Sequence, residues 1–147
     1  MSGAVREVRS GELEEVLELY THLHERGVPP EGPARAALWE KLLADPDYHI
    51  IVAERDGRLC ASCTLVVVPN LTRDLRPYGL IENVVTRREY RRRGLASACL
   101  DRARELAQAA GCYKLMLLTG SKDADTLRFY RSAGYNSEDK TAFVQWL

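Results

Sequence analysis

The chain has 147 residues, with 21 Lys and Arg against 21 Asp and Glu, so its formal net charge is zero. Balanced charge gives no overall pull toward nucleic acid or an anionic membrane. The length suits one domain with a sizeable core, and no apolar run nears the roughly 20 residues of a membrane-spanning helix.

The opening residues, MSGAVREVRSGELEE, carry acids early and no apolar signal core, so no targeting segment is expected and a cytoplasmic location is. Residues 4–9, AVREVR, alternate weakly and predict a first strand. Ser10 suits a helix N-cap, and Glu12, Glu14 and Glu15 suit the positive helix end. Leu13, Val16, Leu17, Tyr20 and Leu23 then recur at helical spacing to about Glu25. Gly27, Pro29 and Pro30 break the pattern. A second helix is predicted from about Pro33, through Ala36, Ala37, Trp39, Leu42 and Leu43, to Asp45-Pro46-Asp47.

Residues 48–54, YHIIVAE, read as a strand, and Asp56-Gly57 as the turn of a hairpin whose second strand runs from about Arg58 to Val68. The polar stretch NLTRDLRPYG follows. It is either a plain connection or a substrate-facing loop, in which Arg73, Arg76 and Tyr78 would meet an anionic or sugar-like acceptor. A strand over Leu80–Thr86 leads to a helix from Gly94 to about Ala110, closed by Gly111. CYKLMLLT reads as a central strand, a helix runs from about Asp123 to Ala133, and TAFVQWL reads as a last strand.

This order predicts one α/β (α+β) domain over residues 1–147. Its sheet is mixed, mostly antiparallel and twisted, with about six to seven strands flanked by four helices. The strand–helix–strand unit from Leu80 onward requires parallel pairing. A terminal strand ending at Leu147 would leave a sheet edge, which a homodimer would cover.

Cys60 and Cys63 stand three apart in a predicted strand, so alternation puts them on opposite faces. The four cysteines read as small buried hydrophobes in a reducing compartment; zinc or a redox pair is the alternative. His22 and His24, two apart on a helix, cannot share a face, so no metal site is expected. His24 lies near the end of the first helix and is a candidate for touching substrate.

The chemistry concentrates in LIENVVTRREYRRRGLA, residues 80–96. It reads as a buried strand, a basic turn and a glycine at the start of a helix. A helix N-terminus has unpaired N–H groups and partial positive charge, and so attracts anions. Gly94 and Ala96 let a ligand approach the backbone, and Arg87, Arg88, Arg91, Arg92 and Arg93 surround that end with positive charge. A phosphate-bearing ligand follows. The pattern is neither GxxxxGK[ST] nor a three-glycine dinucleotide fingerprint, and no second basic surface with aromatics points to nucleic acid.

ENVVTRREYRRRGLASACL resembles the coenzyme-A-binding segment of the GNAT acetyltransferase superfamily, whose Arg/Gln-x-x-Gly-x-Gly/Ala turn is matched by Arg91, Gly94 and Ala96. LRFYRSAGY resembles that superfamily's FYxxxGF segment at Phe129, Tyr130, Gly134 and Tyr135. The two are separated by one helix and one strand, as the resemblance requires. IEN-VV with GCYKLMLLTG is more narrowly similar to the glucosamine-phosphate N-acetyltransferase branch and its small bacterial relatives. The chain departs from the pattern in two respects: Arg92 stands where Gly is frequent, and Asp123 and Asp125 stand where Asn is frequent.

The resemblance implies an acyl-CoA acyltransferase fold, acetyl-CoA as cosubstrate without a metal, and direct acetyl transfer to the primary amine of a small molecule. It places the coenzyme against Val84, Val85 and Thr86 on the strand. At the turn and helix start it places Arg91, Arg92, Arg93, Gly94, Leu95, Ala96 and Ser97, and on the later helix Asp125 and Phe129. A backbone N–H near Val84 or Val85 would stabilise the oxyanion, and Tyr130 would protonate the leaving thiolate. No cysteine nucleophile or ping-pong mechanism is expected.

A free amine of pKa ~10 is nearly all ammonium at pH 7, so deprotonation costs on the order of 4–5 kcal/mol and a base is useful. Alternation puts Leu80, Glu82 and Val84 on one strand face and Ile81, Asn83 and Val85 on the other. Glu82 is thus a carboxylate on a mostly apolar strand close to the coenzyme turn, and a candidate base, directly or through water. Its alternative role is a structural glutamate paired with Arg73 or Arg76. Two other functions fit the same fold: acetylation of a protein lysine or N-terminus, and acyl-CoA binding without turnover.

Overall fold

In the computed structural model, which describes residues 4–23 and 27–147, the Asp56-Gly57 turn joins two long strands at the centre of the sheet. Both turn residues have positive φ, 53° and 73°, the backbone a two-residue hairpin needs to follow the strand twist. The strands are β2 (Tyr48–Arg55) and β3 (Arg58–Val68). β1 (Ala4–Glu7) pairs antiparallel with β2, and β4 (Tyr78–Thr86) antiparallel with β3. β5 (Leu115–Leu117) lies parallel to β4 after the crossover helix, giving the sheet order β1-β2-β3-β4-β5.

Helix α1 (Leu13–Tyr20), led in by a 3-10 turn at Ser10–Glu12, and helix α2 (Pro33–Ala44) cover one face. Val16, Leu19 and Trp39 pack there on Ile50, Val52, Leu59 and Val85. Helix α4 (Leu95–Ala109) covers the other face, burying Leu95, Cys99, Leu100, Ala103 and Ala107 against Ile51, Cys63, Leu65 and Ile81. Helix α5 (Ala124–Ser132) adds Phe129 and Tyr130 to that side. Among the described residues no helix is long and apolar enough to cross a membrane.

The sheet of the described residues has five strands rather than six or seven. Residues 141–147 carry a strand-like sequence but form no ladder, because no neighbouring strand meets their backbone. A fifth helical element, α3 (Thr72–Leu75), stands in the predicted polar loop. It is a single left-handed turn, with Arg73, Asp74 and Leu75 at φ 54°, 58° and 64°. Each such residue costs roughly 1–2 kcal/mol relative to the right-handed form.

Two bulges reset the alternation. One lies on β3 opposite Ala53 and Glu54, where Cys60 is the extra residue. Cys60 and Cys63 therefore join the same cluster under α4, not opposite faces. The second lies between β3 and β4. Thr64 pairs with Glu82, and the next pair is Ser62 with Val85, so Asn83 and Val84 together oppose Cys63. Asn83 takes φ 52°, a left-handed conformation that Asn tolerates better than most residues. The bulge sends Val84 to the α4 side with Ile81, and Val85 to the α1–α2 side. The simple alternation expected for this strand stops at Glu82 for that reason.

Candidate active site

The bulge, the start of α4 and the first turns of α5 enclose one cleft of about 580 Å³. Val84, Val85 and Thr86 supply its β4 wall. Arg91, Arg92, Gly94, Leu95, Ala96 and Ser97 supply its floor, and Asp125, Phe129 and Tyr130 its α5 wall. All of these are residues the sequence nominated. His22, Tyr90 and Thr126 also line it; nothing in their local pattern signals this, because each enters through tertiary placement.

Gly94 is the N-cap of α4, at φ 77°, and no side chain caps this end. The first amides of the helix therefore point into the cleft without a side-chain acceptor. A Cβ on Gly94 would meet nothing within 4 Å, so this side of the glycine is open space. Arg92 sits at φ 63°, which explains why a glycine suits this position in related turns. Among the described residues, no acid lies in the first turn of α4 to compete with a bound anion.

The arginines divide by role. Arg91 donates from Nε to the Thr86 carbonyl at 3.4 Å and from Nη2 to the His22 carbonyl at 3.4 Å, tying the turn to β4 and to the end of α1. His22 Nδ1 in turn accepts from the Arg88 amide at 3.3 Å. Arg93 lies outside the cleft wall, its guanidinium 5.0 Å over the Tyr90 ring. Arg87 does not join the positive turn. It is 2% exposed, donates from Nε to the Leu59 carbonyl at 2.8 Å, and pairs with Glu18 at 2.8 Å. A buried arginine needs such partners, and this one binds β4 to β3 and α1.

Tyr130 packs edge-on between Phe129, 5.0 Å away, and Tyr135, 6.5 Å away. Burial, and then proximity to Cys63, push its phenol above the ordinary value, so it carries its proton at neutral pH. Asp125 accepts from Arg128 at 2.7 Å at the cleft edge.

Glu82 is exposed on the opposite, α1–α2 side of β4, one residue before the bulge. A polar group surrounds it within an otherwise apolar face. The Thr64 hydroxyl beside it is fully buried and, among the described residues, has no hydrogen-bond partner in good geometry. Burial raises the Tyr20 phenol, with Thr64, Asn83 and Ser62 close enough to work against the rise. Burial, and then the Glu82 charge, raise the Tyr48 phenol. Tyr20 and Tyr48 were not nominated from sequence, where each reads as a packing position.

Arg73, Arg76 and Tyr78 gather at the far end of β4, about 13 Å along the strand from Glu82. Arg76 donates to the Gly111 and Cys112 carbonyls at 3.1 and 3.2 Å, at the C-terminal end of α4. Arg73 lies over the Tyr113 ring, and Tyr78 meets Tyr113 edge-on. Neither arginine pairs with Glu82 among the ion pairs of the described residues. His24 lies outside the described residues. Among the described residues no three His, Cys, Asp or Glu side chains gather as a metal site.

The chain matches the model of the acetyltransferase (GNAT) family over residues 13–135. It is 30% identical over 137 residues to the glucosamine 6-phosphate N-acetyltransferase of Trypanosoma brucei brucei, covering 92% of this chain and 90% of that protein. A putative acetyltransferase from Agrobacterium tumefaciens superposes with a TM-score of 0.89 at 38% identity, over 97% of this chain and 99% of that one. The glucosamine-6-phosphate N-acetyltransferase of Arabidopsis thaliana has the same fold, with a TM-score of 0.84 at 18% identity and 99% of both chains covered. The chain thus belongs to the acetyltransferase (GNAT) family, as an N-acetyltransferase that takes acetyl-CoA as cosubstrate.

Proposed function

We propose that the enzyme transfers acetyl directly from acetyl-CoA to the primary amine of a small molecule, with amino sugars as the acceptor class. The observation that carries this reading is the convergence of the uncapped α4 N-terminus, the bulged β4 edge and Tyr130 on one cleft, with Glu82 just across the strand. The trypanosomal relative, named for glucosamine 6-phosphate, supports the acceptor class.

In this reading the amides of Leu95, Ala96 and Ser97 hold the coenzyme pyrophosphate, with Arg91, Arg92 and Arg93 supplying charge. The bulge leaves Asn83 and Val84 without ladder partners of their own, and a backbone N–H of this distorted stretch, at Val84 or Val85, stabilises the developing oxyanion. Glu82 takes the amine proton, directly or through water. The free amine attacks the thioester carbonyl, the C–S bond breaks, and the thiolate takes the Tyr130 proton. Asp125 and Phe129 line the arm of the coenzyme. Tyr20 and Tyr48 offer neutral hydroxyls on the Glu82 side of the sheet, which suit a hydroxylated acceptor. We take the working form as a homodimer and its location as the cytoplasm, in keeping with four unpaired cysteine thiols.

The test is thiol release from acetyl-CoA across amino sugars, polyamines, amino acids, aminoglycosides and lysine peptides. Turnover with amino sugars at the highest kcat/KM is expected. Best turnover on peptides would overturn the acceptor class, and coenzyme binding without thiol release on any amine would overturn the catalytic reading.

A further inference from the structure

Beyond Tyr20 the chain stays wound for one more turn. Thr21, His22 and Leu23 donate from their amides to the Glu18, Leu19 and Tyr20 carbonyls at 3.0 to 3.1 Å. This turn brings His22 to the coenzyme cleft, which it lines beside Thr86 and Arg91. Arg91 fastens it there, bridging the Thr86 and His22 carbonyls at 3.4 Å each.

The ring is set in one tautomer. The Arg88 amide opens the 3-10 turn Arg88–Tyr90, and the first amide of such a turn has no partner within it. It donates instead to His22 Nδ1 at 3.3 Å. A ring nitrogen that accepts a hydrogen bond carries no proton, so in this geometry the imidazole has its one N–H at Nε2. Among the described residues nothing accepts from Nε2. Arg88 stands outside the cleft lining, and Nε2 lies on the opposite edge of the ring, toward the residues that form it. Capping the Arg88 amide needs only an acceptor, which Asn, Asp or Ser would supply. The histidine adds a donor aimed the other way. Among the described residues the one acid in the lining is Asp125, which accepts from Arg128 at 2.7 Å.

We propose that His22 is a coenzyme-binding residue whose Nε2–H donates to a phosphoryl oxygen of the coenzyme pyrophosphate, adding a side-chain donor from the end of α1 to the backbone donors at the start of α4. The assignment rests on the reading that places the pyrophosphate at Gly94, Leu95, Ala96 and Ser97. An anion held by helix amides still has oxygens facing away from the helix, and a neutral N–H with no partner inside the protein suits one of them. The two nitrogens of the ring then have separate tasks: Nδ1 holds the turn before α4, and Nε2 holds the ligand that the turn receives.

Two amide side chains separate these tasks, since Gln places an N–H where Nε2 stands, whereas Asn places an oxygen where Nδ1 stands and reaches no further. His22→Gln, His22→Asn and His22→Ala are titrated with coenzyme A and 3′-dephospho-coenzyme A by calorimetry, and with pantetheine, which has no phosphate, by NMR shifts. His22→Asn and His22→Ala should bind coenzyme A about 10-fold more weakly than the parent, the scale of one hydrogen bond to a charged group. His22→Gln should stay within about 3-fold of the parent. The same order should hold for the dephospho form, which keeps the pyrophosphate, and vanish for pantetheine. Ring nitrogen shifts of the parent should report the Nε2–H tautomer, with Nε2 moving when coenzyme binds. Parent affinity in His22→Ala overturns the proposal. So does the reverse order, with Asn near the parent and Gln as weak as Ala, because the ring would then serve only the Arg88 amide. An equal loss with pantetheine overturns it as well, moving the contact to the arm. Failure of the pyrophosphate placement reads differently: Gly94→Trp would keep parent affinity, and the proposal would fall with the placement. If Gly94→Trp loses binding while the His22 series stays flat, the His22 contact alone falls.

Discussion

Tyr48 and Glu82 stand diagonally across β3, Tyr48 opposite Val66 and Glu82 opposite Thr64, and burial first, then the Glu82 carboxylate, hold the Tyr48 phenol above its ordinary value. A phenol that keeps its proton beside a carboxylate is a donor, able to orient that carboxylate or a water between it and an amine. Glu82→Gln should therefore lower kcat by about 100-fold at neutral pH, the usual scale for a lost general base. The deficit should shrink at pH 9, where more amine is already free. Tyr48→Phe should cost less and leave the pH dependence in place. Rate profiles of both variants with one amino sugar decide this; a Glu82→Gln deficit independent of pH removes Glu82 as the base.

The elements that depend on local pattern lie where the sequence put them. The 3.6-residue spacing of Leu13, Val16 and Tyr20, and the Asp56-Gly57 turn, carry their own instructions. The lining of the cleft at the start of α4 was legible for a similar reason, since a basic turn, Gly94 and a helix start are contiguous in the chain. What was not legible depends on partners distant in sequence. Arg87 reads as one charge in a basic run, and only Glu18, on α1, and the Leu59 carbonyl reveal it as a buried tie. The bulge at Asn83 follows from pairing with β3, and it reverses the faces assigned to Val84 and Val85. Tyr20 and Tyr48 become polar neighbours of Glu82 only when α1, β2 and β4 are brought together.

Gly94 separates space from backbone strain. Its positive φ means that any L side chain is strained there by about 1 kcal/mol, whereas its Cβ position is open. Gly94→Ala should lose a little stability and keep most coenzyme affinity. Gly94→Trp should lose about the same stability but abolish coenzyme binding, because the added ring extends over the α4 amides. Calorimetric titration with acetyl-CoA, alongside thermal melts, separates the two effects. Unchanged affinity in Gly94→Trp would place the pyrophosphate elsewhere.

Tyr130 is held by rings on two sides, so Tyr130→Phe keeps the packing and removes only the hydroxyl. Coenzyme affinity should stay near that of the parent, with kcat down about 10- to 100-fold if the hydroxyl protonates the thiolate. Because burial raises this phenol, the parent rate should hold well into the alkaline range before the acid is lost. An acceptor-independent deficit in single-turnover thiol release supports the role. Parent kinetics in Tyr130→Phe would leave the residue a packing element.

Arg87 offers the clearest stability test. Replacing it with Ala leaves the Leu59 carbonyl without its side-chain donor and removes the anchor of Glu18, which should cost about 2–3 kcal/mol by the usual worth of hydrogen bonds to charged groups. The Glu18 end is exposed, so Glu18→Gln should cost well under 1 kcal/mol. Its pH dependence has a definite sign. The hydrogen bond from Arg87, then its charge, lower the Glu18 pKa in the folded chain. The contribution is complete above the unfolded glutamate value of about 4.3 and disappears as pH falls through the lower folded value. Urea midpoints of the parent and Glu18→Gln should therefore differ at pH 7 and converge toward pH 3. A difference that persists under acid would mean that Glu18 acts through packing and not through its charge.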